Sequence, residues 1–206
     1  MLTVIELTTG VPGAGKSYRR CAHYLVNDWL KDKENRIHYS NFPVDIEAIA
    51  EYTSRRDVDE HIKEIPEDVI ETWLEGRSGP WEYFQDTDLA CCHIALDEFD
   101  HFCSTNHKKE IRTQWAAWLK EIRHQGATVE FITQDHQAVA KEVERKVAVR
   151  RSLTVGADRR DPYFKIKMYD WYQLRSKLIN RQVQTVIETE YRKHDGRWKA
   201  EDASGG

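Results

Sequence analysis

Apolar residues recur along this chain in two rhythms, a strand-like one and a helical one. The opening run "LTVIELTTG" (2–10) is rich in β-branched residues and closes on a glycine, which predicts a strand. Cys21, Leu25 and Trp29 then fall at four-residue steps, predicting a helix from Lys16 to about Lys31. "RIHYSNF" (36–42) predicts a second strand, stopped by Pro43. Residues 44–90 change character. Their acidic, helix-patterned stretches "DIEAIAEY" and "EDVIETWLEG", broken by "GRSGP", predict a helical insertion peripheral to the core. "ACCHIALDEFDHF" (90–102) predicts a buried strand that ends in two acids. Ile111, Trp115, Trp118, Leu119 and Ile122 share one face of a helix over 109–125. A strand over 127–134 and a helix over 136–146 follow. Beyond them "VAVRRSLTV", "PYFKIKMYD" and a hairpin from "VQTVIETEYRK" through "HDG" to "RWKAED" predict β structure, before the tail "ASGG".

Strand and helix alternate over the first 150 residues, so the expected fold is α/β with a mostly parallel sheet flanked by helices. The expected organisation is a core over 1–155 that includes the 44–90 insertion, a β-rich C-terminal extension over 156–200, and a disordered tail over 201–206. A length of 206 residues with 40% hydrophobic and 32% charged positions suits one domain with an elaboration. The net charge of -4 does not announce a nucleic-acid binder, although a local basic face counts for more than the sum. Cys21, Cys91, Cys92 and Cys103 form no CxxC pair and no disulfide framework, which fits a reducing cytosol. No apolar run approaches the roughly 18 residues of a membrane span, and no basic-then-apolar leader opens the chain. The expectation is a soluble, unexported protein.

Three short stretches carry chemistry. Gly10, Gly15, Lys16 and Ser17 complete the pattern G-x-x-x-x-G-K-S/T, with Pro12, Gly13 and Ala14 inside the loop and Tyr18 just after it. Glycines let the backbone wrap with its N–H groups aimed at phosphate oxygens, and the helix that follows adds its positive end. Lys16 is expected to reach the β and γ phosphates of ATP, and the Ser17 hydroxyl to ligate Mg²⁺. A chance glycine-rich turn would match the pattern too, but a strand before it and a helix after it favour the phosphate cradle. In "HIALDE", Asp97 and Glu98 end an apolar strand as a Walker B pair does. Asp97 is then the expected Mg²⁺ holder, usually through water, and Glu98 the group that polarises the attacking water. In "FITQD", Thr133 and Gln134 end a strand expected to lie beside that of Asp97. Gln134, whose amide both donates and accepts, is the better candidate for reading the γ-phosphate or the lytic water.

Arg123 and His124, then Arg145, Lys146, Arg150 and Arg151, supply basic groups. One arginine could act as a finger on the transferring phosphate, in its own subunit or from a neighbour, and others could track a nucleic-acid backbone. Solvated charges at helix ends are the plainer alternative. Cys91, Cys92, His93, His101, Cys103 and His107 are zinc-type residues without a zinc-type spacing. The tryptophans read as core or subunit-interface residues, not as stacking partners for bases.

The ordered series "LTTGVPGAGKSY", "IALDEFDHF" and "LKEIRHQGATVEFITQDHQAVAKEVERKVAVRRSL" resembles the zonular occludens toxin-like (Zot) ATPase domain of phage assembly proteins, over residues 1 to about 155. That family is related to the HerA/FtsK group of DNA-pumping motors. The resemblance implies a P-loop NTPase with a RecA-like core, oligomerisation, and ATP-driven movement of a phage genome or virion. By motif it carries functional roles onto Lys16, Ser17, Asp97, Glu98, Arg123 and Gln134. Filamentous-phage members continue into a membrane-spanning helix, which this chain lacks. The expectation therefore moves to a ring-forming, Mg²⁺-dependent ATPase in the host cytoplasm or at a packaging vertex, translocating viral DNA into a capsid with capsid proteins as partners. The rival readings are an extrusion ATPase with a separate membrane partner, a nucleotide-switched adaptor with little turnover, and a small-molecule kinase. The adjacent acids and the lack of an arginine-rich lid speak against the last.

Overall fold

The computed structural model of the chain describes residues 4–10, 16, 36–90, 92–155, 186–194 and 197–200. One eight-stranded sheet organises them. β1 (Ile5–Gly10), β2 (His38–Ser40), β3 (Ile62–Glu64), β4 (His93–Leu96), β5 (Thr128–Thr133) and β6 (Val149–Val155) run parallel in the order β3-β2-β4-β5-β1-β6. β7 (Val186–His194) and β8 (Arg197–Ala200) continue the sheet beyond β6 as antiparallel strands. The described helices are α1 (Ile46–Thr53), α2 (Val58–His61), α3 (Glu67–Leu74), α4 (Pro80–Tyr83), α5 (Lys109–Gln125) and α6 (Lys141–Glu144).

The central strands are buried on both faces, but their residues alternate, so one face is apolar and the other polar. On one face, Ile5, Leu7, Ile94, Leu96, Val129 and Phe131 share a core with Trp115, Trp118, Leu119 and Ile122 of α5. Those four helical positions recur at three- and four-residue steps, so they form a single stripe, and all are buried. α5 stops at Gly126, whose φ of 86° is the left-handed conformation that side chains disfavour. Arg123 and His124 occupy its last turn, where positive charge complements the helix dipole. The other face is polar. The β1–β5 register sets Glu6 beside Glu130, two buried acids on neighbouring strands. Thr8 Oγ1 donates to Glu130 Oε1 at 2.5 Å, and Arg151 Nη2 lies 3.4 Å from Glu6 Oε1. Buried carboxylates persist when they are partnered in this way.

Two expectations change. Residues 44–90 are not peripheral: β3 pairs with β2 in the sheet, and Ile65, Trp73, Phe84 and Leu89 belong to the main core. Aromatic packing is the reason. Trp115 meets Trp73 at 6.2 Å and Trp81 at 6.0 Å edge-on, while Phe84 stacks on Trp118 at 6.2 Å. The helix expected over 136–146 contracts to the single turn of α6. Before it, Val139 bridges Ser104, Ala140 N–H donates to Cys103 O at 3.0 Å, and Thr105 N–H donates to Ala138 O at 2.9 Å. Those bonds draw 138–140 into an extended path. The helix over 16–31 past Lys16, the strand over 162–170, and the tail lie outside the described residues.

Candidate active site

Parallel strands deliver their carboxyl ends to one edge, and that is where ligands of open α/β sheets bind. Thr9 is in register with Thr133, so Gly10 and Gln134 follow side by side. Leu96 is in register with Phe131, which sets Asp97 and Glu98 level with Ile132 and Thr133. β5 separates β1 from β4. The start of the glycine loop and the two acids therefore face each other across one strand, about 10 Å at the usual spacing.

Lys16, helical and half-buried, turns back so that its Nζ donates to Gly10 O at 2.8 Å. The ammonium is thus held at the root of the loop, where a phosphate oxygen would compete with the carbonyl. Pro12, Gly13, Ala14, Gly15, Ser17 and Tyr18 lie outside the described residues.

The turn after β4 is tightly specified. Glu98 has φ 52° and ψ 42°, a left-handed conformation that costs a non-glycine residue about 1–2 kcal/mol. Several contacts hold it there. Glu98 N–H donates to Asp97 Oδ1 at 2.9 Å, and His101 N–H donates to Glu98 O at 2.9 Å, closing a 3-10 turn over Phe99–His101. Phe99 is fully buried and stacks on Phe131 of β5, ring centroids 3.7 Å apart. Asn41, just past β2, brackets Asp97: its Nδ2 donates to Asp97 O at 3.0 Å, and its Oδ1 accepts from Asp97 N–H at 2.7 Å. Thr133 Oγ1 donates to Asp100 Oδ1 at 2.6 Å. The Glu98 side chain itself projects into solvent, with His101 Nδ1 3.6 Å from its Oε2.

The predicted residues therefore divide. Gly10, Lys16, Asp97, Glu98 and Gln134 are brought to one edge of the sheet, with Gln134 exposed directly beyond β5. The buried Thr133 hydroxyl is committed to Asp100. Arg123 does not join them. It is exposed on the last turn of α5, just ahead of the first residue of β5, so it lies at the opposite edge of the sheet. Six strand residues at about 3.3 Å each separate the two edges. Arg151 is engaged with Glu6 on the polar face. For Mg²⁺ the donor chemistry fits: this cation takes one or two carboxylates together with phosphate oxygens and water, not a protein cage. Asp97, half-buried at the edge, supplies such a carboxylate.

Sequence reasoning missed Asn41 and Asp100. Asn41 lies 56 residues from its partner and belongs to no motif, so only the pairing of β2 with β4 reveals it. Asp100 could have been suspected from the crowding of acids in "LDEFDHF".

A six-stranded parallel sheet with flanking helices, a glycine loop after β1, and an acid pair one strand away defines a P-loop NTPase fold. The family described as zonular occludens toxin (Zot) matches residues 4–194, and this chain belongs to it. Among solved structures, the N-terminal domain of zonular occludens toxin from Neisseria meningitidis is 18% identical, with 75% of this chain and 78% of that one covered and a TM-score of 0.49. The genome packaging NTPase B204 from Sulfolobus turreted icosahedral virus 2, in complex with ATP-gammaS, is 13% identical with 96% of both chains covered and a TM-score of 0.50. The DNA-packaging ATPase of Sulfolobus turreted icosahedral virus is 13% identical, covering 97% of this chain and 98% of that one, with a TM-score of 0.51. At these identities the likeness is one of fold. No curated protein sequence matches the chain.

Proposed function

We propose that this protein is a Mg²⁺-dependent ATP hydrolase of virus assembly that moves a DNA genome into a capsid. The observation that carries the reading is the meeting of Gly10, Lys16, Asp97, Glu98 and Gln134 at one carboxyl edge, with β5 between the two charged elements. In this role the loop cradles the phosphates and Lys16 neutralises the β and γ oxygens. Ser17 and Asp97 hold the metal, which draws charge off the transferring phosphoryl group. Glu98 orients and polarises water, and Gln134 senses the γ-phosphate.

Membership in the Zot family and the fold shared with packaging NTPases support a role in assembly. The position of Arg123 supports oligomeric action, because it can reach a phosphate only in a neighbouring subunit. Charge argues for where DNA would run. Glu64, Glu67, Asp68, Glu71, Glu75 and Glu82 are all exposed within residues 64–82, so a polyphosphate would be gripped elsewhere. Among the described residues no helix is long and apolar enough to cross a membrane.

The test is steady-state ATP turnover by the purified protein, alone and with single- or double-stranded DNA at moderate salt. Turnover that DNA stimulates and that Glu98→Gln reduces to a low, still measurable residual rate is the expected result. Wild-type rates in Lys16→Ala and Glu98→Gln proteins would remove the assigned site. Turnover indifferent to DNA would replace translocation with an assembly role alongside another partner.

A further inference from the structure

The motif residues explain what Glu98 is for, but not why its backbone stands in a conformation that glutamate avoids. The contacts of Asn41 supply a reason. An asparagine amide has one donating and one accepting end, and here both are spent on a single residue, the N–H and the C=O of Asp97. The result is a two-point clamp that fixes the peptide planes on both sides of Asp97. Glu98 N–H belongs to the second of these planes and reaches back to Asp97 Oδ1. With that plane fixed and Phe99 locked against Phe131, the only residue left to absorb the turn is Glu98, and it does so at φ 52°. The carboxylate that leaves this backbone is exposed, and the equally exposed His101 lies beside it. Its aim therefore comes from the main chain.

We propose that Asn41 is a positioning residue for hydrolysis: through its clamp on the Asp97 main chain, it sets the left-handed turn that points the Glu98 carboxylate at the lytic water. The proposal rests on the ATP-hydrolase reading above. Asn41 is well placed for the task because β2 pairs directly with β4, with Ser40 in register with Ala95, so the amide meets Asp97 with no intervening side chain. An aspartate, serine or alanine in its place could not both donate to and accept from the main chain of one residue with this reach.

The test compares wild type with Asn41→Ala, Asn41→Asp, Glu98→Gln and Asn41→Ala/Glu98→Gln full-length proteins. It measures kcat at saturating Mg-ATP, the Kd of a fluorescent ATP analogue, and thermal unfolding. A misplacement of the reacting group by about 1 Å costs on the order of 10²-fold in rate. Asn41→Ala is therefore expected to lower kcat by about 10- to 100-fold while the analogue Kd moves by less than about threefold, because the lost interaction acts after binding. Asn41→Asp keeps the bond from Asp97 N–H in a side chain of the same shape, so it guards against a mere folding defect. Its kcat is expected to fall between those of wild type and Asn41→Ala. In the Glu98→Gln background, Asn41→Ala is expected to add no further loss, since it acts through the missing carboxylate. Unchanged kcat in Asn41→Ala, or a full additional loss in the double variant, overturns the positioning role and leaves the hydrolase reading standing. No turnover by wild type overturns the hydrolase reading, and the positioning role falls with it.

Discussion

Thr133 Oγ1 donates to Asp100 Oδ1 at 2.6 Å, tying the end of β5 to the turn that carries the acid pair. Thr133 is fully buried, so its hydroxyl has no water to fall back on. Thr133→Val keeps the shape and removes the donor. It is expected to cost about 1 kcal/mol of stability, the usual net worth of one hydrogen bond, since the half-buried Asp100 can turn to water. It should also lower ATP turnover, whereas Thr133→Ser should retain both. Chemical denaturation and a turnover assay on the same samples decide this.

Lys16 rests against the Gly10 carbonyl, and in the proposed role it exchanges that partner for phosphate oxygens. Lys16→Ala is expected to weaken binding of a fluorescent ATP analogue by at least about tenfold, since charge-assisted bonds to phosphate are worth about 1.5–3 kcal/mol. Stability without nucleotide should scarcely change, because the bond it loses is half-exposed.

Arg123 and Lys16 lie at opposite edges of one sheet. If Arg123 completes a neighbour's site, Lys16→Ala and Arg123→Ala proteins should each be inactive alone and regain turnover on mixing. Random assembly of equal amounts pairs an intact Lys16 with an intact Arg123 at about a quarter of head-to-tail interfaces. Recovery near that fraction is the expected result, and no recovery would deny Arg123 a role in trans.

Trp115 is the hub of the aromatic core, in ring contact with Trp73, Trp81, Phe99 and Trp118. Trp115→Ala is expected to cost about 3–5 kcal/mol, the range for truncating a large buried aromatic. For a chain of this size that corresponds to a drop in Tm of roughly 10 °C. Differential scanning calorimetry would register it.

Burial pushes the Cys103 thiol up to about 12 from its ordinary 9.0. The native protein therefore holds that proton through a range in which the unfolded chain releases it. The contribution to stability is complete below pH 9 and is lost as the pH climbs toward 12. Urea midpoints taken from pH 8 to 11 should fall for wild type and fall less steeply for Cys103→Ala. In a Cys21→Ser/Cys91→Ser background, a thiol reagent at pH 8 should find Cys92 and Cys103 only after denaturant is added, since both are buried.

The sequence spoke clearly wherever one local pattern sufficed. α5 spans the predicted 109–125, because its apolar stripe and Gly126 mark both face and end. β1, β5 and the β7–β8 hairpin also stand where their alternation and turn residues put them. β3 stayed hidden since three residues carry no periodicity. The segment before α6 has helical spacing, yet Val139 and Ala140 are taken by the backbone around Cys103, a contact that composition cannot announce. At the site, the acids and the glycine loop were legible because phosphate chemistry demands those residue types. Asn41 was not, because any residue after β2 could have met Asp97, and only strand order decides which one does. The distance of Arg123 from Lys16 likewise follows from which end of α5 feeds β5.

The place of β1 in the sheet has a consequence for how the chain matures. Its two neighbours are β5 and β6, so Thr8 must wait for Glu130, 122 residues further on, before it gains its partner. At translation speeds of about 5–20 residues per second, the first strand made spends several seconds without either edge paired. β4 also awaits β5 for its second edge, so assembly of this core is late and non-local, the kind of topology that folds slowly. The nucleotide edge, which needs β1, β4 and β5 together, is among the last features to form on a growing chain. A ribosome-bound intermediate stalled before residue 128 would carry every residue of the glycine loop and still have no cradle.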